Sequence, residues 1–299
     1  MKYVVAVDIG GTDIKSALVN EAFEVISTSS TPTPQNDPSG QAALEVVAQL
    51  VETFARDHTI SAVGLGVLGL FDDKNGICRW SGNLGWKNFP IRDQLQARLN
   101  IPVAAGHDIR TAGVAEHRSG AAAGYQNSIF IAIGTGIAAS LVIDGQARSS
   151  DGYAGEIGHI NVNGKFDCVC GKHGCLEAAA SALSISKAYE AATGASMTTH
   201  QIADLVTSGD AVATAIWNEA ALALARGCET LITILAPEVI VFGGGLARSG
   251  ELLLKPIRDY LTSSLTFQRV PELKIAHYGA TAGTIGCAII AFDALKTGT

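Results

Sequence analysis

No unbroken apolar run in this chain approaches the roughly 18–20 residues that a bilayer-spanning helix requires. The longest apolar stretch, 128–143, is interrupted by Gly134, Thr135, Gly136 and Ser140 and reads better as two strands joined by a glycine turn. The N-terminus lacks the form of a signal peptide, because Asp8 cuts the apolar run 3–7 far too early. Basic clusters are missing as well: 21 Lys and Arg are scattered among 28 Asp and Glu, for a net charge of −7. A surface that neutralises a duplex backbone needs a concentrated basic face, so nucleic acid is excluded as a partner. Neither a Walker loop nor a dinucleotide fingerprint is present. These absences describe a cytoplasmic protein that engages no membrane.

Charge is sparse at 16% and apolar residues make up 47% of 299 positions, enough to bury large cores in two domains of ordinary size. Strands are expected at 3–8, 14–20 and 23–28, each short and bounded by turn residues. Three prolines within 31–38 are expected to stop that ladder, and Ser39 is placed to cap a helix whose apolar positions run from Ala42 to Phe54. A strand at 62–67, a helix at 91–99 and a strand at 102–106 follow. The pattern then restarts: 128–133 and 138–144 repeat the strand, glycine turn, strand order of the N-terminus. A long helix over 211–235, strands at 238–242 and 273–278, and a terminal Ala/Gly-rich helix complete the reading. Two similar α/β halves follow, expected as 1–107 with about 285–299, and 108–284 with an irregular cysteine loop.

The candidate chemistry begins at Asp8-Ile9-Gly10-Gly11-Thr12, a glycine turn between two strands. Backbone N–H groups there can approach an anion, the Thr12 hydroxyl can add a bond, and Asp8 can hold hydrated Mg²⁺ beside phosphates. An ordinary hairpin turn would look the same, but Gly134-Thr135-Gly136 repeats the context in the second half, and two such turns can grip a triphosphate. A third turn, Gly243-Gly244-Gly245, ends a buried strand, where a nucleotide base or ribose would fit in an open α/β sheet. Tight strand–helix packing would use the same glycines. His159, Cys168, Cys170 and Cys175 form the Cys₃His set that a structural zinc accepts, and the Cys-x-Cys spacing departs from that of redox pairs. Asp108 sits at a strand end, either as a general base or as a helix cap. Glu156 and Glu177 flank the cysteine loop, as sugar ligands or as solvated charges.

Taken together, these stretches resemble the ROK family of bacterial sugar kinases. The resemblance runs almost end to end: Asp8 to Thr12 with Ile14-Lys15, then Gly134-Thr135-Gly136-Ile137, and Gly155-Glu156-Ile157-Gly158-His159 followed by the cysteine loop to Glu177. It implies a two-domain actin-like ATPase (ribonuclease H-like) fold with an interdomain cleft, assembled as a homodimer or homotetramer. It also implies an ATP-dependent kinase that phosphorylates the C6 hydroxyl of a hexose, glucose first, with N-acetylglucosamine and N-acetylmannosamine as alternatives. Asp108 would take the hydroxyl proton. Gly66, Asn83, His107, Glu156, His159 and Glu177 would surround the sugar, His159 ligating zinc as well. Asp8, Gly10, Gly11, Thr12, Lys15 and the two later glycine turns would hold Mg-ATP. The family's repressors carry a DNA-binding domain ahead of the first phosphate turn, which here starts at residue 8, so that class is disfavoured. Family members commonly carry Asn-Asp-x-Asn where this chain has His107-Asp108-Ile109-Arg110, and Leu68 stands where proline is usual.

Overall fold

The computed structural model describes residues 2–297. In chain order its elements are β1 (Tyr3–Ile9), β2 (Asp13–Asn20), β3 (Val25–Pro32), α1 (Gln41–Phe54), β4 (Ile60–Val67), β5 (Leu70–Asp72), β6 (Ile77–Ser81), β7 (Trp86–Phe89), α2 (Ile91–Leu99), β8 (Val103–His107) and α3 (Asp108–Ser119). Next come β9 (Ser128–Ile133), β10 (Ile137–Ile143), β11 (Gln146–Arg148), α4 (Leu176–Ala180), α5 (Ala182–Thr193), α6 (Thr199–Thr207) and α7 (Ala211–Leu235). The chain closes with β12 (Val239–Gly243), α8 (Glu251–Ser264), β13 (Glu272–Ile275) and α9 (Ala282–Thr297).

The chain divides into two compact units, one of residues up to 115 with 147–154 and 280 onward, the other of 116–146 with 155–279. The expected boundary at 107 put 108–115, 147–154 and 280–284 on the other side. Residues 1, 298 and 299 of that expectation lie outside the described residues.

The first unit is built on the sheet β3-β2-β1-β4-β8. β1 and β2 form an antiparallel hairpin, whereas β1, β4 and β8 run parallel, so Asp8, Gly66 and Gly106 stand in one row near the carboxyl ends. Ligands of open α/β sheets settle at that edge. One core joins Val5, Val7, Leu65, Val47 and Leu95. On another, Cys287, Ala288, Ala291 and Phe292 of α9 pack with Val4, Ala6 and Ala62. The segment 279–297 is long and apolar enough to cross a membrane by length and composition alone; with 44% of its apolar window buried, it serves here as a core helix. A small sheet, β5-β6-β7, carries Trp86, whose buried indole N–H donates to the carbonyl of Asp37 at 3.0 Å. Trp86 is therefore a packing residue, as its near-complete burial confirms.

In the second unit β9 pairs antiparallel with β10 and parallel with β12, which pairs parallel with β13. This repeats the β1, β2 and β4 arrangement, so the recurrence of glycine turns reflects a repeated topology. Ile129, Ile131, Ile133 and Phe242 meet Trp217 and Leu224 of α7 in one core.

Three expectations need correction. β3 runs to Pro32, which pairs with Asp13 at the end of an edge strand, where a missing N–H costs no ladder bond. Phe23 lies outside it, at positive φ, in a turn organised by Asn20. The N-cap position of the helix at 41 is Gly40, and Ser39 shares the capping with Asp37: Ser39 Oγ accepts from Gln41 N–H at 3.3 Å and donates to Asp37, whose Oδ2 accepts from Ala43 N–H at 3.0 Å. Strand β13 stops at Ile275: Ala276 N–H still reaches the Phe242 carbonyl at 2.8 Å, and the N–H groups of His277 and Tyr278 then turn to the fully buried carboxylate of Glu116.

Candidate active site

In the first unit, β1 delivers Asp8 to the head of a turn closed by Gly10 N–H donating to the Asp13 carbonyl at 3.0 Å. Thr33 Oγ1 and Gln35 Nε2 hold the carbonyls of Gly10 and Gly11. With its carbonyls so engaged, the turn is fixed from behind, while Thr12 is exposed. Burial pushes the Asp8 carboxyl up, and Lys15, its partner across the hairpin, counteracts that only in part. A desolvated carboxylate of this kind gains from a nearby divalent cation, so Asp8 fits a magnesium role. A Cβ on Gly11 would lie 3.2 Å from Asn83 Nδ2, which places Asn83 beside the turn.

Asp108 opens α3 directly after β8, and Gly66 backs onto it, 3.5 Å from an added Cβ to Asp108 Cα. Its Oδ1 accepts from Ile109 N–H at 2.7 Å and lies 3.2 Å from His107 Nε2. The buried His107 Nδ1 has no hydrogen-bond partner among the described residues. One proton on the imidazole therefore belongs on Nε2, donating to the carboxylate. Burial and then the charge of Arg110 push His107 down to about 3, so the ring is neutral at working pH. Because the folded pKa is depressed, the unfolded chain takes up this proton first. Stability is complete above about pH 6.5 and falls by about 1.4 kcal/mol per unit as pH drops toward 3. Acid denaturation monitored by circular dichroism should show this slope, and His107→Asn should flatten it.

Arg110 points away from any sugar role. Its guanidinium donates to the carbonyls of Phe71 (2.7 Å) and Gly152 (3.3 Å) and pairs with Asp73 Oδ2 at 2.9 Å. It thus ties 147–154 into the first unit. Asp73 also accepts the backbone N–H of His107 at 3.0 Å. Sequence reasoning missed Asp73, since nothing in the hairpin Asp72-Asp73-Lys74-Asn75 distinguishes a positioning carboxylate from a turn residue.

In the second unit, Gly134 faces open space and Thr135 is exposed, which leaves the tip of the turn accessible. Gly136 differs: an added Cβ would lie 2.5 Å from Glu177 Oε2, and the same oxygen accepts from Ile137 N–H at 2.9 Å. At the third turn, Gly243 is packed against the Phe130 ring and Gly244 against the backbone of Ile133, and only Gly245 looks into open space. Glu156 is exposed at the head of a short turn, 157–159, that leads to His159.

His159, Cys168, Cys170 and Cys175 converge, with all their ligand atoms within 4.8 Å of one another. Two of the contacts, Cys170 Sγ to Cys175 Sγ and Cys168 Sγ to His159 Nδ1, measure 3.7 Å. A tetrahedral zinc with bonds of about 2.3 Å separates its sulfurs by about 3.8 Å, so the donor set fits that ion. Burial and the neighbouring thiols push Cys175 up to about 12, a burden that a bound cation would lift.

Both units share the hairpin-plus-parallel-strand core, and the whole chain has the two-domain fold of actin-like ATPases. The crystal structure of the ROK hexokinase from Thermus thermophilus superposes with a TM-score of 0.84 at 31% identity, covering 99% of each chain. That of a ROK family glucokinase from Streptomyces griseus, in complex with glucose and AMPPNP, gives 0.83 at 29% identity over 97% of this chain and 99% of the other. The glucokinase of Halalkalibacterium halodurans is 32% identical, over 95% of this chain and 93% of its own. The ROK family model matches residues 4–294, and the chain belongs to the ROK family.

Proposed function

We propose that the protein is an ATP-dependent hexose kinase that transfers the γ-phosphoryl group to the C6 hydroxyl of a hexose, with glucose as first substrate. The observation that carries this reading is the state of Asp108: a carboxylate at the carboxyl edge of the sheet, one oxygen held by two donors. A carboxylate so fixed suits removal of a hydroxyl proton. Asn83, His107, Glu156, His159 and Glu177 orient the sugar, and Gly66 gives Asp108 its seat. Asp8, Gly10, Gly11, Thr12 and Lys15 are assigned to phosphate binding, and so are Gly134, Thr135 and Gly136. Gly245 borders the nucleoside, and Gly243 and Gly244 shape its wall. Mg²⁺ beside Asp8 neutralises developing phosphate charge when bound. Zinc on His159, Cys168, Cys170 and Cys175 braces the loop and, with all four positions filled by protein, is structural. The full-length likeness to hexokinase and glucokinase relatives supports the assignment, and on this reading the protein would work in the cytoplasm as a homodimer or homotetramer.

A coupled ADP-release assay over glucose, mannose, N-acetylglucosamine and N-acetylmannosamine, with and without Mg²⁺ and with polyphosphate replacing ATP, tests the reading. Glucose should give the highest kcat/KM, with ATP and only with Mg²⁺. A clear preference for an N-acetylated sugar would replace the substrate while keeping the reaction. His107→Asn should change the ratio of kcat/KM values among hexoses and leave KM for ATP within about threefold. Unchanged sugar ratios would remove His107 from sugar recognition.

A further inference from the structure

We infer that Glu177 is a positioning residue for the phosphate-binding turn, in addition to any contact with the sugar. The inference rests on the kinase reading above and deepens it. The turn at Gly134, Thr135 and Gly136 must aim backbone N–H groups at phosphates, yet its tip has no packing of its own: nothing lies within 4 Å of a Cβ on Gly134. The turn closes on itself through Gly134 N–H, which donates to the Gly136 carbonyl at 2.9 Å, and its placement comes from its two ends. At the entry, the Gly134 carbonyl accepts from Ala182 N–H at 2.8 Å. At the exit, Ile137 N–H donates to Glu177 Oε2 at 2.9 Å. Both anchors lie on or directly beyond α4, the five-residue helix that begins immediately after Cys175.

Gly136 supports the same reading from the opposite side. A Cβ there would meet Glu177 Oε2 at 2.5 Å, so the missing side chain makes room for this carboxylate and not only for a ligand. Gly158 has the same relation to it, 3.3 Å from an added Cβ to Oε2. One carboxylate thus touches the exit of the turn and the strand of chain leading to His159. With Oε2 engaged by Ile137, Oε1 is the oxygen that would face a sugar hydroxyl. Glu177 then joins the two substrates of the reaction through a single side chain.

The test is the affinity of a non-hydrolysable Mg-ATP analogue, measured by titration calorimetry without sugar, where a role limited to sugar binding has no effect. Glu177→Ala and Glu177→Asp, the latter still charged but too short to reach Ile137, should raise Kd by roughly 10- to 100-fold, the loss of one hydrogen bond to a charged acceptor. Glu177→Gln keeps an oxygen that accepts from Ile137 N–H, and its Kd should be no more than about threefold weaker than wild type. Gly136→Ala should weaken binding by displacing the carboxylate, and should add little in the Glu177→Ala background. Where Glu177→Ala fails to fold, the Asp and Gln pair decides the question. Wild-type affinity in Glu177→Asp, with a wild type that binds the analogue, overturns this inference alone. A wild type that binds no analogue overturns the kinase reading and this inference with it.

Discussion

Replacing Asp108 with asparagine is expected to lower kcat by about 10²–10⁴-fold while sugar affinity stays within a few-fold. Asparagine keeps the shape of the side chain and an oxygen to accept from Ile109 N–H, so the start of α3 should survive. It cannot take a proton. The comparison isolates base function from capping, which is needed because Asp108 does cap its own helix through the 2.7 Å bond to Ile109. Steady-state kcat together with calorimetric sugar Kd makes the measurement. A kcat near wild type would leave Asp108 as a cap only.

The second large effect concerns the metal. Elemental analysis should find about one zinc per protomer, and Cys175→Ser should lose it, with kcat/KM falling by at least about 10²-fold and a lower melting temperature. Structural zinc contributes folding free energy directly, on the order of 10–16 kcal/mol in small zinc modules. Cys175 is the proposed ligand whose loss is expected to matter most, because it is buried and α4 begins at the next residue. His173 supplies the control. It lies in the same loop, but its Nδ1 is engaged with Asp167 at 2.9 Å and it is outside the four-residue cluster. His173→Ala should retain the metal and the activity. Metal-free protein with full activity would refute the structural role.

Much of the fold was legible because its signals are local. Short apolar runs bounded by turn residues mark β1, β2, β9 and β10, and a long helical stretch with Pro237 beyond it marks α7. The repeated strand–glycine–strand order predicted two related halves, and β1-β2-β4 and β9-β10-β12 bear this out. The convergence of His159, Cys168, Cys170 and Cys175 was legible because four residues of two ligand-forming types in one short stretch have few other uses. The small sheet β5-β6-β7 was not, since strands of three to five residues leave no period to detect. Pro32 was misjudged because the rule against proline in a ladder holds for interior strands, and edge position is a tertiary fact.

Site details failed for the same reason. Arg110 was noted only as a departure from the family pattern; its carbonyl partners, Phe71 and Gly152, are 39 and 42 residues away. Asp73, 34 residues from the backbone N–H it holds, gave no signal. The glycines of the first two turns were read as making room for phosphates and those of the third as bordering a base or ribose, with an ordinary turn or tight packing as the other reading. The structure separates Gly134 and Gly245, which face open space, from Gly136, Gly243 and Gly244, whose missing side chains accommodate the protein itself.

The most direct test of the central claim is phosphorus NMR of the product formed from Mg-ATP and glucose by the zinc-loaded protein. The account predicts one new phosphomonoester, on C6 of glucose, in amounts equal to the ADP produced. ADP without any sugar ester, or no turnover of any hexose by protein that binds both substrates, would contradict it.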